Sequence, residues 1–141
     1  MVPLNERNKK RLKQLNKYLV DGLEELSGLL VFEDQVGEES LSEIEEKTGG
    51  YNYFIYETGG FVLTPEQSQL NQVVLLRFYS QNRDDLDEFC LDVISTLEKE
   101  QRKFYTFQYS NKSSIQIGKE DNYVDEVEFF FLRRLKYECS I

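Results

Sequence analysis

The sequence has no histidine and no tryptophan, and only two cysteines and two prolines in 141 residues. Without histidine there is no Ser-His or Cys-His nucleophile pair. The commonest general base and the commonest zinc ligand are gone as well. Cys90 and Cys139 lie too far apart for a CxxC redox motif or a zinc knuckle. Two cysteines in a chain of this size read as reduced thiols of a cytosolic protein. Apolar runs are only a few residues long, so no membrane span is expected. The opening Met-Val-Pro-Leu-Asn-Glu-Arg lacks the apolar core of a signal peptide. Bases are scarce too. Lys and Arg total 17 against 26 Asp and Glu, a formal charge of −9. A sequence-independent grip on DNA depends on cations against phosphates, and this balance argues against it.

What is present describes one globular domain, residues 1–141. Hydrophobic residues make up 40% and charged residues 30%, which is not a disordered composition. Aromatics reach 13%, all Phe and Tyr, and suit sheet cores or interfaces. Leu12, Leu15, Leu19, Leu23, Leu26 and Leu30 recur at helical spacing and predict a helix over 5–30, with Asn5 as its N-cap. Its first half is basic, with Arg7, Lys9, Lys10, Arg11, Lys13 and Lys17 against Glu6. Such a run is either a docking arm for an acidic partner or DNA or, as charge runs more often are, a solvated face.

Val31-Phe32-Glu33 suits a short strand. An acidic stretch follows: from Asp21 to Lys47 there are ten acids and one base. The 34–50 segment reads as a long acidic loop. Ser40-Leu41-Ser42-Glu43 gives a capping-box pattern for at most a short helix within it. Tyr51–Glu57 prefers an extended chain, Gly59-Gly60 marks a turn or bulge, and Phe61–Thr64 suits a short strand before Pro65. Residues 66–71 read as loop. Val73–Tyr79 is apolar on both alternating sets except at Arg77, the pattern of a central strand. Leu86, Phe89, Cys90, Val93, Ile94 and Leu97 predict a helix over 84–99, with Asp84 as N-cap and acids in its first turn. Strands then follow at 104–109, 114–117 and 127–135, with turns at 110–113 and 119–122.

Little here points to chemistry. Neither Gly-Gly pair sits in a phosphate-binding frame. Asp84, Asp85, Asp87 and Glu88 have the oxygen ligands for Mg²⁺ or Ca²⁺, but helix capping accounts for their placement without a metal. Glu33 with Asp34, or Glu38 with Glu39, offers only a generic carboxylate pair. Cys90 lies on an apolar helix face with acidic neighbours, which suits a core residue and not a nucleophile. Arg77, among Val and Leu, either meets a buried carboxylate or faces a partner subunit.

Taken together, the leading helix 5–30, the acidic loop, the strand Tyr51–Glu57 with Gly59-Gly60, the strand Val73–Tyr79, the segment Ser80-Gln81-Asn82-Arg83-Asp84-Asp85-Leu86 opening a helix, and a closing strand ending near Cys139 form an ordered pattern. It resembles the tail terminator, or tail completion, proteins of long-tailed bacteriophages, a group also described as minor capsid proteins. The resemblance spans nearly the whole chain and rests on order and pattern, with no motif that transfers a functional residue. It implies an α+β fold, with a mixed or antiparallel sheet and two main helices packed on one face. It also implies a homo-oligomeric ring, of six subunits in such proteins. The ring caps the tail tube and presents a surface to the head-tail connector protein, and DNA passes through its lumen without specific binding. Such a protein has no catalysis, no cofactor and no membrane, and ends in the virion tail after assembly in the host cytoplasm.

Net acidity suits a lumen that does not hold phosphates. On this reading the candidate oligomer-interface residues are Phe61, Val62, Leu63, Arg77 and Tyr79, and the candidate docking residues are Arg7, Lys10 and Arg11. The loop 34–50 and the segment Phe61–Asn71 are the candidates for reaching neighbours. Three other readings compete: an acidic DNA mimic that inhibits a basic nuclease or repressor, a metal-assisted enzyme built on Asp84–Glu88, and a host adaptor domain of the same fold class.

Overall fold

The computed structural model describes residues 3–99, 104–117 and 122–137. Helix α1 spans Leu4–Ser27 and buries Leu15, Leu19 and Leu23, the centre of the leucine stripe. It ends before residue 30 because Gly28 turns left-handed (φ 71°) and donates its N–H to Glu24 O at 2.8 Å. Leu30 therefore lies beyond the helix and is exposed, and Leu26, in its last turn, is exposed as well. At the other end Pro3, not Asn5, occupies the N-cap position.

Strand β1 (Val31–Glu33) pairs in parallel with β2 (Tyr53–Leu63). Parallel neighbours need a crossover, and here helix α2 (Glu38–Thr48) supplies it. The 34–50 segment is thus largely helical, which corrects the reading of a long loop. The helix starts after Gly37, ahead of the capping-box pattern. It has glutamates in its first turn, buries Ile44, pairs Lys47 with Glu43 at 2.9 Å, and stops at left-handed Gly49.

Strand β2 runs straight through Gly59-Gly60 and pairs with β3 (Gln69–Ser80), with a register shift between Thr58 and Phe61. The glycines mark a bulge, and a Cβ on Gly59 would stand 3.3 Å from Val73 O. Phe61–Leu63 continue the strand into a long hairpin arm. The arm turns over 64–68, where Gln67 takes φ 58°, and residues 69–71, read as loop, belong to β3. Helix α3 covers Leu86–Leu97, shorter than 84–99, with Asp85 and not Asp84 at its N-cap position.

Strand β4 (Thr106–Gln116) passes through Ser110–Ser113 without turning. Turn-forming residues stay extended there because β5 (Tyr123–Lys136) pairs with them throughout: Asn111 with Glu128, Lys112 with Val127, Ser113 with Glu126. The two short strands expected on either side of a turn are one. The turn at 119–122 lies almost wholly outside the described residues.

The sheet order is β1-β2-β3-β5-β4, parallel at β1-β2 and antiparallel elsewhere. This is an α+β fold with a mixed sheet, and α1 and α3 pack on one face. The core joins Leu15, Leu19 and Leu23 of α1 and Phe89, Val93 and Leu97 of α3 to Phe54, Tyr56, Val74, Leu76, Phe78, Val127, Phe129 and Phe131. Phe54, Phe78 and Phe89 form its aromatic centre, with ring centroids 4.6 to 6.3 Å apart. No helix among the described residues is long and apolar enough to cross a membrane.

Candidate assembly surfaces

Alternation in β3 and β5 puts one residue set under the helices and the other on the opposite face. On that second face Val73 and Tyr109 are exposed, and Leu75, Phe130 and Leu132 are half-buried. Register makes these residues neighbours: Val73 pairs with Leu132, Leu75 with Phe130, and Phe130 with Tyr109. The Tyr109 and Phe130 rings stack at 4.3 Å. The result is an apolar patch spread over three strands with no helix of its own to cover it.

Arg77 sits next along β3 on the same face. Its guanidinium pairs with Glu57 of β2 and, at 3.3 Å, with Glu128 of β5. Burial works against its charge, but the hydrogen bond and charge of Glu57 outweigh it and the pKa is raised. The carboxylates that Arg77 meets are part-exposed and not buried, so the three form a cross-strand clamp at the surface. Tyr79 follows. Burial, and then its hydrogen bond to Glu126, raise its pKa, and its ring stacks on Tyr53 at 5.0 Å.

Phe61, Val62 and Leu63 stand on the hairpin arm, with Val62 65% and Phe61 49% exposed. They pair only with Gln72, Asn71 and Leu70 of their own hairpin. A bulky apolar run this open on the arm exposes apolar surface to water and gains nothing within a single subunit. Arm and sheet patch adjoin along β3: Val62 pairs with Asn71, on the face of Val73, whereas Phe61 and Leu63 pair with Gln72 and Leu70 on the helix side.

Arg7, Lys10 and Arg11 share one side of α1. Arg7 and Lys10 are exposed, whereas Arg11 is held over the Phe104 ring at 4.8 Å. The structure thus brings the apolar candidates to the sheet and arm and leaves the basic ones on the helical layer.

In the Asp84–Glu88 cluster, Asp85 holds Arg83 at 3.1 Å and Asp87 accepts from Lys112 at 2.8 Å. Among the described residues no group of three or more His, Cys, Asp or Glu side chains is placed to hold a metal ion. Cys90 packs against the core, and burial pushes its thiol up to about 11.

Sequence reading missed the buried guanidinium of Arg133, only 3% exposed. It donates to Gln72 Oε1 at 2.7 Å, to Asn16 Oδ1 at 2.6 Å and to the Tyr105 hydroxyl at 3.4 Å. The Tyr105 hydroxyl donates in turn to Leu15 O at 2.8 Å. This network ties α1 to β3 and β5. Its signal was in the alternation, because Arg133 shares a face with Phe129, Phe131 and Leu135.

Comparison with models of known protein families finds none that matches this chain, and comparison with curated protein sequences finds no match either.

Proposed function

We propose that this chain is a structural assembly protein of the tail terminator kind: copies join into a ring that closes the end of a tail tube and offers a surface for head-tail joining. One observation carries this reading. Helices α1 and α3 pack on one face of the sheet, and on the other the patch Val73, Leu75, Tyr109, Phe130 and Leu132 adjoins an arm with exposed Phe61, Val62 and Leu63. A protomer in a ring needs two unlike surfaces, one for each neighbour. The arm and the sheet patch are unlike in shape and both are apolar. Arg77, held by Glu57 and Glu128, gives the patch a fixed polar border of the sort found at interface rims.

The acidic balance fits a ring through which DNA slides, since like charge prevents adhesion. It fits a DNA mimic less well. Mimicry asks for rows of carboxylates, whereas here Arg77 sits between Glu57 and Glu128 of the sheet and pairs with both, and Lys112 of β4 pairs with Asp87 of α3.

The test is light scattering and electron microscopy of the purified chain, alone and mixed with tail tubes. Rings, or discs seated on tube ends, are expected. A chain that stays monomeric and never joins tubes would refute the reading. A Phe61→Ser/Val62→Ser variant should fold normally and lose this assembly.

A further inference from the structure

We infer that the two ends of this molecule bind each other between copies, the basic end of one protomer seating on the acidic end of the next. The inference rests on the assembly reading above and names the contact that drives it.

The basic end is built from two elements. Asn8 Nδ2 donates to Lys136 O at 2.8 Å, which holds the first turns of α1 beside the end of β5. Lys9, Lys10 and Lys13 thereby join Arg134 and Lys136, all exposed. Lys9 is taken by Glu6 and Arg134 donates to Thr106 Oγ1. Lys10, Lys13 and Lys136 have no ion-pair partner among the described residues. The turn of the hairpin arm stands here too, with the Tyr137 N–H donating to Ser68 O at 3.0 Å.

The opposite end holds the close of β3, the start of β5 and the start of α3. Ser80 pairs with Asp125, and Gln81 Nε2 donates to Asn122 Oδ1 at 3.2 Å. Asp84, Asp85, Glu88 and Asp125 gather there. Arg83 is held by Asp85, and Asp84 and Glu88 have no cationic partner among the described residues.

The length of β5 separates the two ends. Its 14 residues span about 45 Å at ~3.3 Å per residue. Physiological salt screens charge over about 8 Å. The ends of one copy therefore cannot satisfy each other, and the nearest complementary surface of the right size belongs to a second copy. Basic end on acidic end is a heterologous contact, which closes into a ring or runs on as a filament. Because the arm lies at the basic end, the same contact takes Phe61, Val62 and Leu63 out of water.

The experiment is a charge swap read by sedimentation and light scattering of the full chain. Wild type should associate at low salt and dissociate as salt rises. Lys10→Glu/Lys13→Glu and Asp84→Lys/Glu88→Lys should each weaken self-association by about tenfold or more. Circular dichroism and urea unfolding serve to show that each stays folded. Mixing the two variants should restore association, because every contact is then acidic end against basic end. The inference is overturned if either variant associates like wild type, or if the mixture of folded variants stays dissociated. If the variants still cap tail tubes normally, the end-to-end contact is wrong while the assembly reading survives. If wild type joins neither itself nor tubes, both fail.

Discussion

Replacing Arg133 by methionine tests whether the buried guanidinium is held by the network around it. Each hydrogen bond from a charged donor contributes about 1.5–3 kcal/mol, and Arg133 makes two short ones, to Gln72 and Asn16. Against this stands the desolvation of a guanidinium that is 3% exposed, several kcal/mol in the other direction. Methionine fills similar space and removes both effects. What remains is the fate of the abandoned acceptors. Asn16 is half-buried and can turn to water. Gln72 is buried, so its Oε1 is stranded. A stranded acceptor costs about 1–3 kcal/mol, so Arg133→Met should destabilise by about 2 kcal/mol. In urea that moves the midpoint down by about 1 M, for a slope near 2 kcal/mol per molar. The double variant Arg133→Met/Gln72→Leu should recover about 1 kcal/mol or more, because it removes the stranded group. A second readout is Tyr105, whose pKa burial raises and Arg133 partly lowers. In Arg133→Met it should titrate at still higher pH. A neutral single variant, or strictly additive costs in the double, would refute this account.

Three further outcomes follow from the same structure. Stability should begin to fall near pH 9, where the Cys90 thiol ionises in the unfolded chain before the buried one, and fall more steeply between about pH 10 and 12: burial raises the pKa of Tyr53, Tyr56 and Tyr105, Tyr56 to about 12, so the unfolded chain ionises first, at up to about 1.4 kcal/mol per pH unit for each group. Urea midpoints from pH 9 to 12, with tyrosinate absorbance, check this, and Tyr56→Phe should flatten the decline. In a Cys139→Ser background, Cys90 should react slowly with a disulfide reagent at pH 8 and rapidly in denaturant, because burial pushes its thiol up to about 11. Gly50→Val should lower the melting temperature by roughly 3–6 °C, since a Cβ there meets Gln81 Cβ at 3.1 Å and displaces the amide that accepts the Tyr51 N–H.

Helices α1 and α3 were legible because their stabilisation is local in pattern: an apolar residue every third or fourth position faces one layer. The errors fall where a distant partner overrides a local preference. Ser110-Asn111-Lys112-Ser113 has turn chemistry, yet it stays extended because Glu126, Val127 and Glu128 complete its ladder and Asp87 holds Lys112. Gly59-Gly60 leaves a turn and a bulge open, and the pairing of Phe61 with Gln72, which resumes beyond it, makes it the bulge. Helix α2 was masked by its acidity. Its core contribution is the single buried residue Ile44, and its stability comes from a first-turn charge arrangement and a glycine stop that resemble loop signals.

Arg77 and Arg133 show where the candidate surfaces could be read and where they could not. In β5 the positions 126, 128, 134 and 136 all carry charge and share one face, while the other carries Asp125 at its start and then Arg133 among Phe129, Phe131 and Leu135. Charges sort by face in a half-covered sheet, so the crowded face had to be the wet one and Arg133 had to point inward. In β3 no such asymmetry exists. Gln72 and Ser80 dilute the buried set much as Gln69, Asn71 and Arg77 dilute the open one. Which face of β3 is open was decided elsewhere, by where the leucines of α1 settle. The partners of Arg77 lie 20 residues before it and 51 after it. An apolar strand alone therefore announces a central position in a sheet, but which of its faces α1 and α3 cover is set by distant elements, and no local pattern in the strand encodes that choice.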